Sequence, residues 1–245
     1  MLWHSTIRLG RFLLAWLYVL VVCIAACVMV VLAGPTRMWL FMMPRWAKGT
    51  LKVVGITLRI DGAEHLAGPG IFVSNHTSLI DVVILPAIVP PKTKVVAKRE
   101  LIYVPFLGWA FGASGAVLVD RRNARAAVAS MRAALAKLPA GWSIAVFPEG
   151  TRSRTATMRP FKKGAFHMAV ATGLPIIPVG LDGAQDVSPP GKWLVRGGEV
   201  RICVGAPIST AGWRNGQLAE PMQATRDAVQ RCIDHAVAMR GDLQP

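Results

Sequence analysis

The chain opens on an apolar run. From Phe12 to Ala33 no residue is charged. At about 1.5 Å rise per residue such a run makes a helix of about 33 Å, enough to cross a hydrocarbon core. Gly34-Pro35 breaks it, and RMWLFMMPRWAKG (37–49) then interleaves Trp39, Phe41 and Trp46 with Arg37, Arg45 and Lys48. Aromatic and basic residues together suit the headgroup zone of a bilayer. The pattern predicts a two-part membrane anchor over 12–47. Arg8 and Arg11 precede the long run, and Arg37 and Arg45 follow it. Charge asymmetry therefore does not decide between a span and a dip into one leaflet. A cleaved leader fits less well, because the run is long and no clear small-x-small cleavage site follows it.

After Gly49 short strands and helices alternate. LKVVGITLRI (51–60) reads as a strand broken at Gly55, GIFVS (70–74) as a short buried strand, and Leu79–Val89 as a buried helix disturbed by Pro86. KVVA (94–97) and AVLV (116–119) are strand-like. Residues 123–138 carry the cleanest helical period, through Ala124, Ala127, Val128, Met131, Leu135 and Leu138. Asn123 caps it, and Pro139 and Gly141 end it. SIAVF (143–147) is a further buried strand, 148–162 a basic loop, 163–172 a helix ending at Gly173, and PIIPVGL (175–181) a strand despite its prolines. KWLVR and VRICVG flank Gly197-Gly198, a hairpin signal, and 217–239 reads as an amphipathic helix. Strands alternating with helices imply an α/β fold with a mostly parallel central sheet flanked by helices. The expected division is an N-terminal membrane anchor, 1–49, and an α/β domain, 50–245.

The net charge of +15 changes the picture in one respect. No nucleic-acid motif and no basic low-complexity tail accompany it. Beside an apolar anchor, it points instead to anionic lipid headgroups. The four cysteines are scattered, with no CxxC pair. They form neither a disulfide framework nor a zinc signature, and a reducing compartment follows as the default.

Candidate chemistry sits at two strand exits. SNHTSLID (74–81) puts His76 just after a buried strand and Asp81 in the first turn of the helix that follows, with Thr77 or Ser78 as cap. From there the carboxylate can reach one ring nitrogen, fix the tautomer and make the other nitrogen a base. A polar helix start with no catalytic role is the alternative on these residues alone. FPEGTRS (147–153) ends the next buried strand. Gly150 permits an unusual backbone, and Glu149 and Arg152 bring charge to a strand's carboxyl end, where open α/β sheets place ligands. Arg152 can grip a phosphate with two parallel hydrogen bonds. Arg154, Arg159, Lys162 and Lys163 extend the basic cluster. Lys98 and Arg121 each follow a predicted strand, and either alone reads as a surface cation. No metal-ligand cluster is legible.

Together these blocks resemble the glycerolipid acyltransferase family. Asn75-His76 with Asp81 matches its NHxxxxD box. Lys98, Glu100, Leu101, Pro105, Gly108, Gly115 and Arg121 match its second block, FPEGTRS with FKKGAFHMA (161–169) its third, and LPIIPVG (174–180) its fourth. The resemblance covers about residues 50–210. It implies transfer of a fatty acyl group from acyl-CoA or acyl carrier protein to a lysophospholipid hydroxyl, with lysophosphatidic acid as acceptor and His76 and Asp81 as the catalytic pair. It assigns the stretch Glu149, Gly150, Thr151 and Arg152 to acceptor binding. Arg121 contributes to the phosphate, and Lys98 is a further candidate. No bound cofactor and no metal are expected, and the location implied is the cytoplasmic side of an inner membrane. A different lysolipid acceptor remains an alternative within the family. A Ser–His–Asp hydrolase using Ser74 or Ser78 is a rival enzyme, although no G-x-S-x-G elbow is present. A noncatalytic lipid-binding protein is the rival from another class.

Overall fold

The structure is a computed structural model of the full chain. It describes residues 2–103, 108, 112, 116–119, 124–153, 155, 157–189 and 195–241, with the side chains of 2–9, 11, 12 and 124–126 left aside. Arg121, Arg122, Asn123 and Arg154, the block positions Pro105 and Gly115, and most of KWLVR lie outside the described residues.

The chain begins with two long helices, α1 (Leu2–Ala33) and α2 (Pro35–Val54), parted at Gly34 and Pro35 as the sequence predicts. Gly34 sits at φ 83, and Pro35 takes the first helical position, where its missing N–H costs nothing. α1 holds a segment, Leu13–Ala33, long and apolar enough to cross a membrane. Among the described side chains of this helix only Ala15, Cys23 and Ala26 are buried, while Leu13, Leu14, Trp16, Leu17, Val21, Ile24, Val28, Val31 and Leu32 face outward. The run is therefore not packed inside the globular part. Its inner face lies on α2. Tyr18 donates its hydroxyl to the Arg45 carbonyl at 2.8 Å, and a Cβ at Gly49 would collide with that hydroxyl.

α2 corrects one reading. Leu51–Val54, expected as strand, is the last turn of this helix. It ends on Gly55 in the left-handed region at φ 76, whose N–H closes on the Leu51 and Lys52 carbonyls. A β-branched pair does not stop a helix whose inner face is buried, and Ala47, Thr50, Leu51 and Val54 are buried. Gly49 and Thr50 lie inside this helix, which shares the core of the sheet. The strand itself, β1, spans Ile56–Asp61 only.

The remaining elements follow the expected alternation. They are β2 (Ile71–Ser74), α3 (Asp81–Ile88), β3 (Thr93–Lys98), β4 (Val117–Val119), α4 (Ala124–Leu135), β5 (Ser143–Val146), α5 (Gly164–Thr172), β6 (Ile176–Asp182), the one-turn α6 (Ala184–Val187), β7 (Gly198–Val204) and α7 (Ala219–Ala238). Among the described residues seven strands form one sheet in the order β1-β7-β6-β2-β5-β3-β4. All neighbours are parallel except β6 and β7. The hairpin read at Gly197-Gly198 is not formed. β7 is flanked by β1 on one edge and β6 on the other, and a strand has only two edges to pair.

Alternate side chains of the central strands feed two cores. Phe72, Ala145, Ile177 and Val179 face α2 and α3, where Leu51, Val54, Ile84 and Leu85 meet them. Ile71, Val73, Ile144 and Val146 face the other way, onto Met131, Phe166, Met168 and Val229 of α4, α5 and α7. β2 is buried at every residue because both its edges are paired and both its faces covered. That makes its C-terminal end a rigid platform for the residues that follow.

Candidate active site

His76 leaves β2 two residues after its end. Asn75, buried, continues the ladder with its side chain. Its Nδ2 donates to the Leu181 carbonyl at 3.0 Å and its Oδ1 accepts from the Leu181 N–H at 2.8 Å. The amide thus stands in for one more peptide of sheet and sets where His76 emerges. The His76 peptide is then clamped by the FPEGTRS loop. Its N–H donates to Glu149 Oε1 at 2.8 Å, and its carbonyl accepts from the Ser153 N–H at 2.7 Å. The imidazole stacks on Phe147, ring centres 4.2 Å apart and planes 18° from parallel.

Asp81 holds the other side. His76 Nδ1 is 2.9 Å from Asp81 Oδ2. The same oxygen accepts from the Thr77 N–H at 2.7 Å and the Ser78 N–H at 2.8 Å. α3 begins at Asp81 itself rather than near Leu79, and Ile80 at its cap position makes no side-chain cap bond. The capping relation is reversed: instead of Thr77 or Ser78 capping the helix, Asp81 gathers the N–H groups of the turn before it. The carboxylate is fully buried. Its second oxygen, Oδ1, is buried with no hydrogen-bond partner, so its partners all converge on Oδ2. Hydrogen bonds to a charged group each contribute about 1.5–3 kcal/mol. A deprotonated Asp81 can only accept, so the hydrogen bond runs from Nδ1–H to Oδ2 and Nε2 is left as the ring's basic lone pair.

A cleft of about 270 Å³ opens at His76. Val95, Ala97 and Ala145 form its floor, Leu85 and Pro86 one wall, and Leu79 and Val82 an exposed apolar lip, with Trp46 of α2 and Leu101 completing it. Lys98 stands among the lining residues. It is exposed and ion-paired with Glu100 at 3.5 Å.

The third block divides into a buried and an exposed part. Glu149 is 1% exposed, with Oε1 on the His76 N–H and Oε2 accepting from the Arg159 N–H at 2.9 Å. Burial pushes its carboxyl above the usual range against the pull of those two N–H groups and the nearby imidazole. Each of its oxygens thus accepts from a backbone N–H of the protein. Gly150 turns through φ 73 and borders the cleft. Thr151 and Arg152 are exposed just beyond. The hydroxyls that a hydrolase would need are engaged elsewhere. Ser74 Oγ is buried at 3.3 Å from the Asn75 carbonyl, and Ser78 Oγ donates to the Ser188 carbonyl at 2.7 Å.

Sequence reasoning missed Phe147, Asn75 and Trp46. Phe147 lies inside the FPEGTRS motif, but nothing along the chain says that its ring lies under the imidazole. Asn75 adjoins the histidine, yet its partner is 106 positions away. Trp46 reads along the chain as an interfacial aromatic.

A family model described as acyltransferase matches residues 57–182, a span that holds both strand exits. The chain is 36% identical over 179 residues to a 1-acyl-sn-glycerol-3-phosphate acyltransferase of Saccharomyces cerevisiae, covering 71% of this chain and 59% of that one. It is 34% identical over 180 residues to the protein of that name in Limnanthes douglasii, covering 73% and 64%. The chain therefore spans less than two thirds of these relatives' length. Among solved structures it is similar to the 1-acyl-sn-glycerophosphate (LPA) acyltransferase PlsC of Thermotoga maritima, with a TM-score of 0.77, 26% identity and 96% of each chain covered.

Proposed function

The chain belongs to the acyltransferase family, and from that membership we propose that it transfers a fatty acyl group from a thioester to the free hydroxyl of a lysophospholipid. The acceptor that best fits is 1-acyl-glycerol-3-phosphate, giving phosphatidic acid, because the similar proteins carry the name of that acyltransferase. The donor is acyl-CoA or acyl carrier protein. Both substrates arrive whole, and the reading needs no bound cofactor.

One observation carries the chemistry: the His76–Asp81 pair at the mouth of an apolar cleft. His76 Nε2 takes the proton of the acceptor hydroxyl. The freed oxygen bonds to the thioester carbonyl carbon, whose electrons move to the carbonyl oxygen. When the tetrahedral centre collapses the C–S bond breaks, and the thiolate takes the proton back from the imidazolium. Asp81 holds the tautomer and balances the cation. Leu79, Val82, Leu85 and Val95 give an acyl chain apolar surface. Lys98, Thr151, Arg152 and Arg121 are the candidates for the acceptor phosphate, with Arg152 the best suited by its fork geometry. Glu149 supports the site from behind.

The acceptor and product are membrane lipids, so the protein works at a bilayer, expected to be the cytoplasmic face of an inner membrane. α1 offers the apolar grip and the +15 charge attracts anionic headgroups, about 1 kcal/mol for each suitably placed cation. Detergent should release the protein, and high salt alone should not.

The test is purified full-length protein in detergent with lysophosphatidic acid and oleoyl-CoA. Released thiol matched by phosphatidic acid is expected. Thioester hydrolysis with no lipid product would indicate a hydrolase. Lipid binding without thiol release would leave a noncatalytic protein.

A further inference from the structure

Gly150 stands where two hollows meet. It borders the His76 cleft, and with Val96 and Phe147 it also borders a second hollow, of about 400 Å³, on the other face of the sheet. The meeting point lies just past the end of β5, over the carboxyl edge of the sheet, where open α/β folds place their ligands. At φ 73 any side chain on Gly150 would be strained. A second reason for glycine is steric. A Cβ at this position would stand 3.0 Å from each of Cδ, Cε and Nζ of Lys162. The end of the lysine is laid along the glycine, in the space that another residue would fill.

The backbone holds Lys162 in this place. Its N–H donates to the Pro148 carbonyl at 2.8 Å, and three residues earlier the Arg159 N–H donates to Glu149 Oε2 at 2.9 Å. The segment that carries Lys162 is thereby stitched to the FPEGTRS loop, and through Glu149 Oε1 to the His76 peptide. Lysine and histidine, far apart in sequence, belong to one hydrogen-bonded frame. The lysine side chain is exposed, so a substrate can reach it.

The acceptor's shape asks for a cation beside that frame. In 1-acyl-glycerol-3-phosphate one methylene and one ester oxygen separate the phosphate from the carbon that bears the free hydroxyl. With the hydroxyl at His76 Nε2, the phosphate must lie close to the rim of the cleft. Lys98 borders the cleft, but Glu100 already answers its charge at 3.5 Å. Lys162 puts an ammonium against Gly150, itself part of the cleft lining.

We propose that Lys162 is a further acceptor-binding residue, its ammonium taking the phosphate of the lysophospholipid while His76 takes the proton of the hydroxyl. The proposal rests on the acyl-transfer reading and adds to it a residue outside the FPEGTRS loop. Gly150 then serves the site by having no side chain, which leaves the ammonium at the rim where the hollows meet. Lys162 supplies a point charge on a flexible stem and Arg152 a planar fork, so the two are not interchangeable.

The experiment uses full-length protein in detergent and the variants Lys162→Met, Lys162→Arg and Lys137→Met. Methionine keeps an unbranched stem along Gly150 and removes the charge. Lys137, exposed beyond the end of α4, loses the same charge away from the cleft. Steady-state rates are measured with lysophosphatidic acid and oleoyl-CoA varied separately. Lys162→Met should raise the KM for lysophosphatidic acid about tenfold or more, the weight of a hydrogen bond to a charged group. The KM for oleoyl-CoA and the kcat at saturating acceptor should stay within about twofold, the mark of lost binding rather than lost chemistry. Lys162→Arg should retain part of the affinity. Lys137→Met should leave both KM values in place, and an equal rise there would assign the effect to net charge and overturn the proposal. A rise confined to oleoyl-CoA overturns it too. So does a lower kcat and melting temperature with the acceptor KM unchanged, which would make Lys162 a structural prop of the loop. Should Lys162→Met fail to fold by circular dichroism, Lys162→Gln takes its place with the same expectation.

Calorimetric titration of lysophosphatidic acid without donor needs no turnover. Weaker binding to Lys162→Met supports the site, and it does so even where no protein releases thiol and the transfer reading alone fails. Equal binding, or none to the wild type, overturns the site whether or not acyl transfer stands.

Discussion

Among the described residues two histidine–aspartate pairs stand out, and the shorter one is not at the cleft. His235 Nε2 is 2.6 Å from Asp61 Oδ2, at the edge of the sheet, with the side chains 53% and 60% exposed. His76 Nδ1 is 2.9 Å from Asp81 Oδ2, with exposures of 13% and 0%. Distance alone would rank them the wrong way. The difference is what else each group touches. Asp81 accepts from two backbone N–H groups besides the ring, and His76 is clamped through its own peptide and stacked on Phe147. Water around the outer pair screens its attraction and lets both side chains turn. The inner pair has one geometry, set by secondary structure, and opens on an apolar cavity.

The largest expected effect breaks this comparison outright if it fails. His76→Ala should lower phosphatidic acid formation by on the order of 10²–10⁴-fold, the usual weight of a general base, with the fold retained by circular dichroism. His235→Ala should stay within about twofold. Equal losses would mean that both pairs act through stability and that the enclosed one has no special role. Asp81→Asn belongs with the first, because the amide neither balances the imidazolium nor holds its tautomer. Asp61→Asn belongs with the second.

Glu149→Gln sharpens the idea that positioning, not mere proximity, separates the pairs. The amide nitrogen would face a backbone N–H, so one of two buried bonds is lost, a cost of about 1–3 kcal/mol. The expected result is a lower melting temperature and a lower kcat, with acceptor KM unchanged. A rise in acceptor KM alone would return Glu149 to direct acceptor binding. Arg152 tests exposure from the other direction. Arg152→Ala should raise the acceptor KM roughly ten- to hundredfold, since a charge-assisted hydrogen bond to the bound phosphate is worth about 1.5–3 kcal/mol. Arg152→Lys should rescue only part of it. An exposed charge then matters because a substrate covers it, which does not happen to Asp61.

The smallest expected effect concerns stability against pH. Asp182, at the end of β6, is half enclosed by Arg201 and Arg240. Burial pushes its carboxyl up, but Arg240 and then Arg201 pull it further down, so it ends below the usual range. The unfolded chain therefore binds the proton first as pH falls. The stabilisation is complete above the unfolded value, about 3.9, and is lost as pH drops from there through the folded value. Denaturant melts between pH 3 and 7 should show that loss, and Arg201→Ala should flatten it. An identical slope in the variant would remove Arg201 from the cause.

The predicted alternation of strands and helices matches the structure at most elements because each buries its apolar residues at its own period. Phe72 and Ile71 point to opposite cores in strand β2, and Met131 and Leu135 follow one face of α4. The pattern misleads at Leu51–Val54, where β-branched residues finish a helix buried against the sheet, and at Gly197-Gly198, where β7 finds its partners far away in sequence. Both are tertiary overrides of local propensity.

By itself the sequence determined what is local in the chain. It placed the break at Gly34-Pro35, the buried strands that lead to His76 and Phe147, and the five-residue spacing that lets Asp81 reach back to the imidazole. Blocks of residues in order also carried the family. The tertiary structure alone decided that Glu149 turns inward to the His76 peptide, that Asn75 joins β6, that Trp46 of the second helix walls the cleft, and that His235 meets Asp61 across 174 positions. The reason is physical. A hydrogen bond within a few residues depends on dihedral angles that the local chain specifies. A bond between distant residues exists only after the sheet has brought their strands together, and whether it is enclosed or bathed in water depends on every element packed around it.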